Sequence, residues 1–445
     1  MISPEECKCA FCKNDHEVDI PKHLIDELLK ENIVVFAGAG ISTENRDSAG
    51  DTFYDVVSHE MGGAQDVSFP ALMERYCSQP DGRIHLVKKI KERFDYFSSF
   101  DDFCYTMNRF HKAISPLYMI KNIITTNWDD FFEKVCGLDA FVNDSDMPFW
   151  ESSERRVMKI HGSIRNFGSI VATEQDYQKS FRRLNNGPMG AQLKSLITQK
   201  TIIYTGYSLS DDNYIRLARA IAKMTQPHTK HAYFLAPKID KPKISNFPIR
   251  LIPIETDGSF FFEQLRLHLD DTGVIVPETA FEACHDILPS VIDAHDSSAD
   301  AFLKTHHPLL IFTMSYQDGL IHGLKRIEKL RMTGYYHDPH RVTHLIGGYV
   351  NRSKEFRRRR DFWNSSYGDG YCDALLYLIS RHSGAGLACP PMYGFHGSKD
   401  FYSLSSLLRF PKRNVMPTYR RQADRIFASM SSNKYSYIPE HTPYL

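Results

Sequence analysis

Ile33-Val34-Val35-Phe36-Ala37-Gly38-Ala39-Gly40-Ile41-Ser42 is the stretch that decides how this chain is read. Five apolar residues, too few for an ordinary helix, run straight into two glycines. A run of this kind suits a strand buried on both faces of a parallel sheet. The glycines mark a tight turn, and a helix is expected to start after it. In that arrangement Gly38, Ala39, Gly40 and Ser42 would hold a pyrophosphate, with free amide groups and the positive end of a helix dipole. The third glycine of the usual dinucleotide fingerprint is missing, and a tight structural turn accounts for the same pair equally well.

Reading outward, Pro21 opens a helical pattern with Leu24, Ile25, Leu28 and Leu29 on one face. Apolar runs recur at Ile120 to Thr125, Val157 to Ile160, Thr201 to Thr205, His231 to Leu235 and Leu251 to Ile254. Helical patterns at Asp129 to Cys136, Met189 to Gln199, Asn213 to Met224 and Phe260 to Leu269 separate or follow them. Strands alternating with helices argue for an α/β fold, a Rossmann-like doubly wound parallel sheet. A looser stretch through Pro277 and Pro289 sets the boundary near 275 to 295. The expected parts are an N-terminal cysteine-containing extension (1–20), the α/β domain (21–275) and a mixed or mostly helical domain (295–445).

Three more polar motifs stand at the C-terminal ends of these strands, where an open parallel sheet gathers its ligand. They are Thr125-Thr126-Asn127-Trp128-Asp129, Lys159-Ile160-His161-Gly162-Ser163 and Thr205-Gly206-Tyr207-Ser208-Leu209-Ser210-Asp211. Singly, Asn127 reads as a helix cap and His161 as a satisfied loop histidine. Four such sites in this order are hard to attribute to chance.

Together they resemble the sirtuin superfamily over about residues 30 to 270, most of all the bacterial sirtuin-like domains of anti-phage defence such as the Thoeris effector. GAGIS matches the phosphate loop, TTNWD the Asn-x-Asp motif, KIHGS the catalytic histidine motif and GYSLSD the late Gly-x-Ser nucleotide loop. Two departures separate the chain from the protein deacetylases. No cysteine lies between His161 and Gly206, so the four-cysteine zinc lobe is missing. Asn45, Arg46, Asp47, Ser48 and Ala49 stand where the Pro-Asp-Phe-Arg element belongs.

The resemblance implies that NAD is the substrate and that no metal is required. It also implies the roles. Asn127 positions water or the ribose, and His161 takes a proton, as its unperturbed pKa of about 6.5 allows. Asp129 either holds the nicotinamide amide and orients its neighbours or caps the next helix. Gly38, Ala39, Gly40, Ser42 and Thr126 bind the cofactor, with Gly206 and Ser208 near the adenosine side. Asp211 reads as a cap more than as a ribose ligand. The function expected is a regulated NAD+ hydrolase in abortive infection. The alternatives are a deacylase or ADP-ribosyl transferase, and a non-catalytic nucleotide-sensing module.

Composition frames these expectations. The 445 residues are 42% hydrophobic and 24% charged, a globular balance. No secretion signal or 18-residue apolar run is visible, and nine cysteines without scaffold spacing suit a reducing cytoplasm. Zero net charge hides about +11 after residue 300, much of it at Arg357 to Arg360 and at Lys412, Arg413, Arg420 and Arg421. With Trp363, Tyr367, Tyr371 and Tyr377 this suggests nucleic-acid contacts, but aromatics so spaced more often build a core. A regulatory or assembly domain fits better: a homo-oligomer answering to a defence-system partner or a phage-derived trigger. Cys7, Cys9, Cys12 and His16 include zinc-like spacing in a very tight loop, and buried thiols or a disordered tail fit it better.

Overall fold

Ile33–Ala37 is a strand (β1) with all five side chains buried, because parallel neighbours flank it and helices cover both faces. The computed structural model describes residues 13–44, 50–63, 66–100, 106–382, 389–394, 401, 403–431 and 438–443. Cys7, Cys9, Cys12 and the segment Asn45 to Ala49 lie outside them. The chain forms two compact units, Met1–His268 and Leu269–Leu445.

In the first unit β1 is joined by β2 (Asn122–Thr125), β3 (Asp139–Phe141), β4 (Arg156–Lys159), β5 (Thr201–Thr205), β6 (Ala232–Ala236) and β7 (Leu251–Glu255). All pairings are parallel, in the order β3-β4-β2-β1-β5-β6-β7. Six of these strands are the six apolar runs of the sequence. The edge strand β3 carries no such run and was not legible. Val34, Phe36, Ile124, Met158, Ile202 and Tyr204 pack on one face with Leu193, Leu217 and Ile221 of the helices Pro188–Gln199 and Asp212–Thr225.

Among the described residues between β1 and β2 stand four helices that the sequence reading passed over: Phe53–Glu60, Phe69–Cys77, Gly82–Ser98 and Arg109–Ile114. Thr52 and Asp55 form a capping box on the first. Phe53, Val57, Leu72, Met73, Leu86 and Ile90 close a small separate core, against which Trp128 and Ile164 also pack.

The second unit is helical among its described residues, as the mixed or mostly helical reading allowed. The boundary stretch expected near 275 to 295 is instead the start of a 28-residue helix, Glu278–Thr305, with Pro289 inside it. An interior proline costs about 3 kcal/mol; burial of Ala280, Phe281, Cys284 and Val291 on the same helix offsets it. Tyr367, Tyr371 and Tyr377 are buried core residues, and Arg357 holds Asp369 with two contacts of 2.7 Å. Those aromatics therefore build the fold, as spacing suggested. No helix among the described residues is long and apolar enough to cross a membrane.

The helices Pro308–Leu330 and Phe362–His382 approach each other backbone to backbone. A Cβ on Gly370 would stand 1.9 Å from the Tyr316 carbonyl oxygen, whereas one on Gly347 would meet nothing within 4 Å. Gly370→Ala is expected to destabilise the second unit by about 1–3 kcal/mol. Gly347→Ala, in an open helix interior, is expected to stabilise it by about 0.5–1 kcal/mol. Hydrogen exchange of the second unit in each variant checks the contrast, and equal protection would overturn it.

Candidate active site

Register explains why the polar motifs meet. Lys159, Thr125, Ala37, Thr205, Leu235 and Ile254 are successive partners across β4, β2, β1, β5, β6 and β7. Each motif therefore leaves the sheet at one level. Chain order runs from β1 to β2 on one side and on to β5 on the other, so the switch point lies between β1 and β5.

There the two glycine loops interlock. Gly38 N–H donates to the Thr205 carbonyl (2.9 Å) and Gly40 N–H to the Gly206 carbonyl (3.0 Å). A Cβ on Gly38 would stand 2.4 Å from the Gly206 carbonyl oxygen, and one on Gly206, where φ is +57°, would stand 2.5 Å from the Ile41 nitrogen. These glycines are thus demanded by loop-on-loop contact, the structural-turn reading of the sequence. The expected α-helix start is also absent among the described residues: Ala39–Ile41 is a single 3₁₀ turn, and the next described α-helix begins at Phe53.

A polar chain runs beneath the TTNWD loop. Thr125 Oγ1 donates to the Ala37 carbonyl (2.8 Å) and accepts from Asn127 N–H (3.0 Å), which ties the loop to β1. Asn127 Nδ2 donates to Ser42 Oγ (3.4 Å), and Ser42 Oγ donates to Asp129 Oδ2 (3.3 Å). Asp129 Oδ1 accepts from the N–H of Phe131 (3.2 Å), the first residue of the helix Phe131–Cys136, so one carboxyl bridges that helix and Ser42. Burial pushes Asp129 up to about 6, against the opposing pull of Lys159 and the Phe131 amide. Lys159, itself fully buried, donates to the Asp129 carbonyl and to Glu133 Oε1 (3.1 Å).

His161 Nε2 lies 2.8 Å from Asp211 Oδ2, both side chains 7% exposed. Both atoms are buried, and neither has another hydrogen-bond partner among the described residues. Asp211 Oδ1 accepts from Tyr214 N–H (3.0 Å) and caps the helix Asp212–Thr225. Burial alone would raise the Asp211 pKa, but His161 and the backbone amides outweigh it and hold the carboxyl below its ordinary 3.8. The Tyr177 ring packs edge-on against the imidazole at 5.1 Å.

These groups border one cavity of about 930 Å³, within the usual range of ligand sites. Ala39, Gly40, Thr126, Asn127, His161, Gly206 and Ser208 line it; Gly38, Ser42 and Asp129 stand behind the wall. Asp129 therefore supports the site from beneath. Phe53, Phe69, Trp128, Ile90 and Phe94 form an apolar side, and Asp257 and Gly258 follow β7 at another. Asn127 Oδ1 is buried without a hydrogen-bond partner among the described residues, a loss of about 1–3 kcal/mol that a bound donor would recover. Among those residues no group of three or more His, Cys, Asp or Glu is placed to hold a metal. Tyr177, the Asp211 contact to His161 and the role of Lys159 were not read from sequence. Lys159 alone left a signal, a lysine inside an otherwise apolar strand run.

The fold is a doubly wound parallel α/β domain with its cavity at the strand exits, and residues 121–249 match the SIR2-like domain family. The chain is similar to NAD(+) hydrolase ThsA of Bacillus cereus (strain MSX-D12), 22% identical over 49% of this chain and 46% of that protein. It is similar also to NAD(+) hydrolase ThsA of Cytobacillus dafuensis, 24% identical over 57% of this chain and 50% of the relative. A third relative is Defense-associated sirtuin 2 of Bacillus subtilis, 22% identical over 62% of this chain and 27% of the relative. The chain thus spans half or less of the length of these proteins.

The raised Asp129 pKa has a signed consequence. From about pH 4 to about pH 6 the unfolded chain releases this proton while the folded chain keeps it. Wild-type stability relative to Asp129→Asn is therefore expected to fall across that window and level off above it. Denaturant unfolding of both proteins near pH 4 and pH 8 measures this; an unchanged difference would show that the carboxyl is not shifted.

Proposed function

We propose that the protein is an NAD+ hydrolase that breaks the nicotinamide–ribose bond, releases nicotinamide and ADP-ribose, and depletes NAD in bacterial anti-phage defence. One observation carries the reading: Asn127 and His161 line the same cavity as the interlocked loops at Ala39–Gly40 and Gly206. The names of the ThsA relatives support it.

Nicotinamide in NAD is a cationic leaving group. Its ring nitrogen takes the electron pair of the breaking bond, so little acid assistance is needed. The site has to stabilise an oxocarbenium-like ribose and bring water to it. The water oxygen bonds to the anomeric carbon, and His161 accepts its proton and passes it to solvent. Asn127 Oδ1, without a protein partner among the described residues, accepts from that water or from a ribose hydroxyl. Ser42 holds the Asn127 amide in place, and Asp129 holds Ser42. The pyrophosphate lies along Ala39, Gly40 and Thr126, with Gly206 and Ser208 toward the adenosine. The Phe53, Phe69 and Trp128 wall limits bulk water around the reacting ribose.

An enzyme that destroys NAD must be restrained in its own cell. The helical unit Leu269–Leu445 is assigned that regulatory or assembly role, in a homo-oligomer released by a partner protein or a phage-derived trigger.

Purified protein incubated with NAD is expected to release nicotinamide, followed by chromatography. His161→Ala and Asn127→Ala should lower turnover about 10²- to 10⁴-fold while remaining folded. Where the wild type is silent for want of its trigger, expression should deplete cellular NAD and arrest growth, and neither variant should. Full turnover in His161→Ala would overturn the mechanism.

A further inference from the structure

We propose that Asp211 is the positioning residue for His161: its carboxylate fixes the imidazole with Nε2 protonated, leaving Nδ1 as the proton acceptor that faces the cavity. This rests on the hydrolase reading above and specifies the half of the site that the sequence motifs leave unassigned.

The argument starts with how Asp211 is held. The loop after β5 turns sharply, with Gly206 at φ +57° and Leu209 at φ +56°, and delivers Asp211 to the N-terminus of the helix Asp212–Thr225. Oδ1 accepts from Tyr214 N–H at 3.0 Å. A carboxylate at a helix N-terminus is stabilised as an anion by the amide groups and the helix dipole. The cap therefore fixes both the geometry and the charge of this group, and Oδ2 is left to lie 2.8 Å from His161 Nε2.

The imidazole has few other polar neighbours. The Tyr177 ring packs edge-on at 5.1 Å, and Tyr177, Tyr207, Tyr214 and Asp212 are the other titratable groups lining this corner. Each tyrosine here has its pKa raised by burial and stays a neutral phenol, so the charged groups at this corner are Asp211, 2.8 Å from the ring nitrogen, and Asp212, which lines the same cavity. Nε2 is enclosed against Asp211. A small ring rotation turns the 2.8 Å approach into a charge-assisted hydrogen bond from Nε2–H. Nδ1 then carries the lone pair. As it takes the proton from water or ribose, the nearby carboxylate stabilises the imidazolium that forms, without itself being protonated.

Asp211→Asn tests this, because asparagine caps a helix as well as aspartate does while a neutral amide replaces the carboxylate oxygen beside Nε2. The full-length variant is expected to keep the wild-type melting temperature and a KM for NAD within about threefold, while kcat falls about ten- to a hundredfold. The acidic limb of its pH–rate profile should move as well. A second measurement needs no turnover. In ¹³C-detected titrations the Asp211 carboxyl should have a higher pKa in His161→Gln than in the wild type, since burial is then unopposed by the imidazole. ¹⁵N spectra should show the Nε2–H tautomer in the wild type and its loss in Asp211→Asn. Wild-type kcat and pH profile in Asp211→Asn, or an Asp211 titration unmoved in His161→Gln, would overturn the proposal. A wild type without NADase activity but with the coupled titration would sink the hydrolase reading and leave the pairing intact.

Discussion

The contact on which the first unit depends is the interlock of two backbone turns at the sheet's switch point. The amides of Gly38 and Gly40 reach the carbonyls that end β5, and no Cβ fits on Gly38 or Gly206 without meeting the other loop. This brings the exits of two central strands within one hydrogen bond of each other. It also fixes where Ala39 and Gly40 face the cavity and where Ser208 to Asp211 can reach. His161 arrives from β4 on one side, and Asp211 arrives from β5 only because its loop is pinned against β1. The loop geometry proposed to hold the pyrophosphate thus also aligns the proposed proton acceptor.

Much of this was legible, and the limits have physical causes. Strands buried on both faces announce themselves as unbroken apolar runs, so six of seven were visible; Asp139–Phe141, a three-residue edge strand with one exposed face, carries no such pattern. The helical insert from Phe53 to Ile114 is hard to read from sequence because it packs apart from the sheet, the helices from Phe53 to Ser98 burying Phe53, Val57, Leu72, Met73, Leu86 and Ile90 against one another and Trp128. The residues that line the cavity through their own motifs, Asn127, His161, Gly206 and Ser208, were readable one motif at a time. The contacts between motifs were not. Asp211 was read as a cap, which it is, but nothing local to Asp211 could say that its second oxygen faces His161. The glycine turn reads from sequence both as a pyrophosphate cradle and as a tight structural turn, and the loop-on-loop contact at Gly38 and Gly206 that the second reading needs is visible only in the fold.

The region after His161 bears on substrate class. In place of a cysteine module the chain runs through a short bridge, Ser163 to Asn166, into the helices Glu174–Asn186 and Pro188–Gln199. Leu184, Met189 and Leu193 of these helices join the core on one face of the sheet. Only Tyr177 of this stretch reaches the cavity, against the imidazole. A segment committed to the core in this way is poorly suited to form the second wall of a peptide cleft. The apolar side of the cavity comes instead from Phe53, Phe69, Ile90 and Phe94 of the insert between β1 and β2, with Trp128 beside them.

The buried charges beneath the site point the same way. Lys159, Glu133 and Asp129 have been taken out of water together, and a buried ionic group is weak evidence for stability, because desolvation offsets most of the attraction. Apolar residues of similar size would hold β4 to the helix Phe131–Cys136 at least as well. What apolar residues could not do is keep Ser42 in register with Asn127, or hold the Asp129 carbonyl and carboxyl in one orientation at the edge of a cavity. Asp129 is driven to about 6 by the same burial, so the fold retains a carboxyl near its own titration range where it costs most. Such a cost is expected where position matters more than stability. In this domain it falls directly behind the asparagine proposed to hold the attacking water.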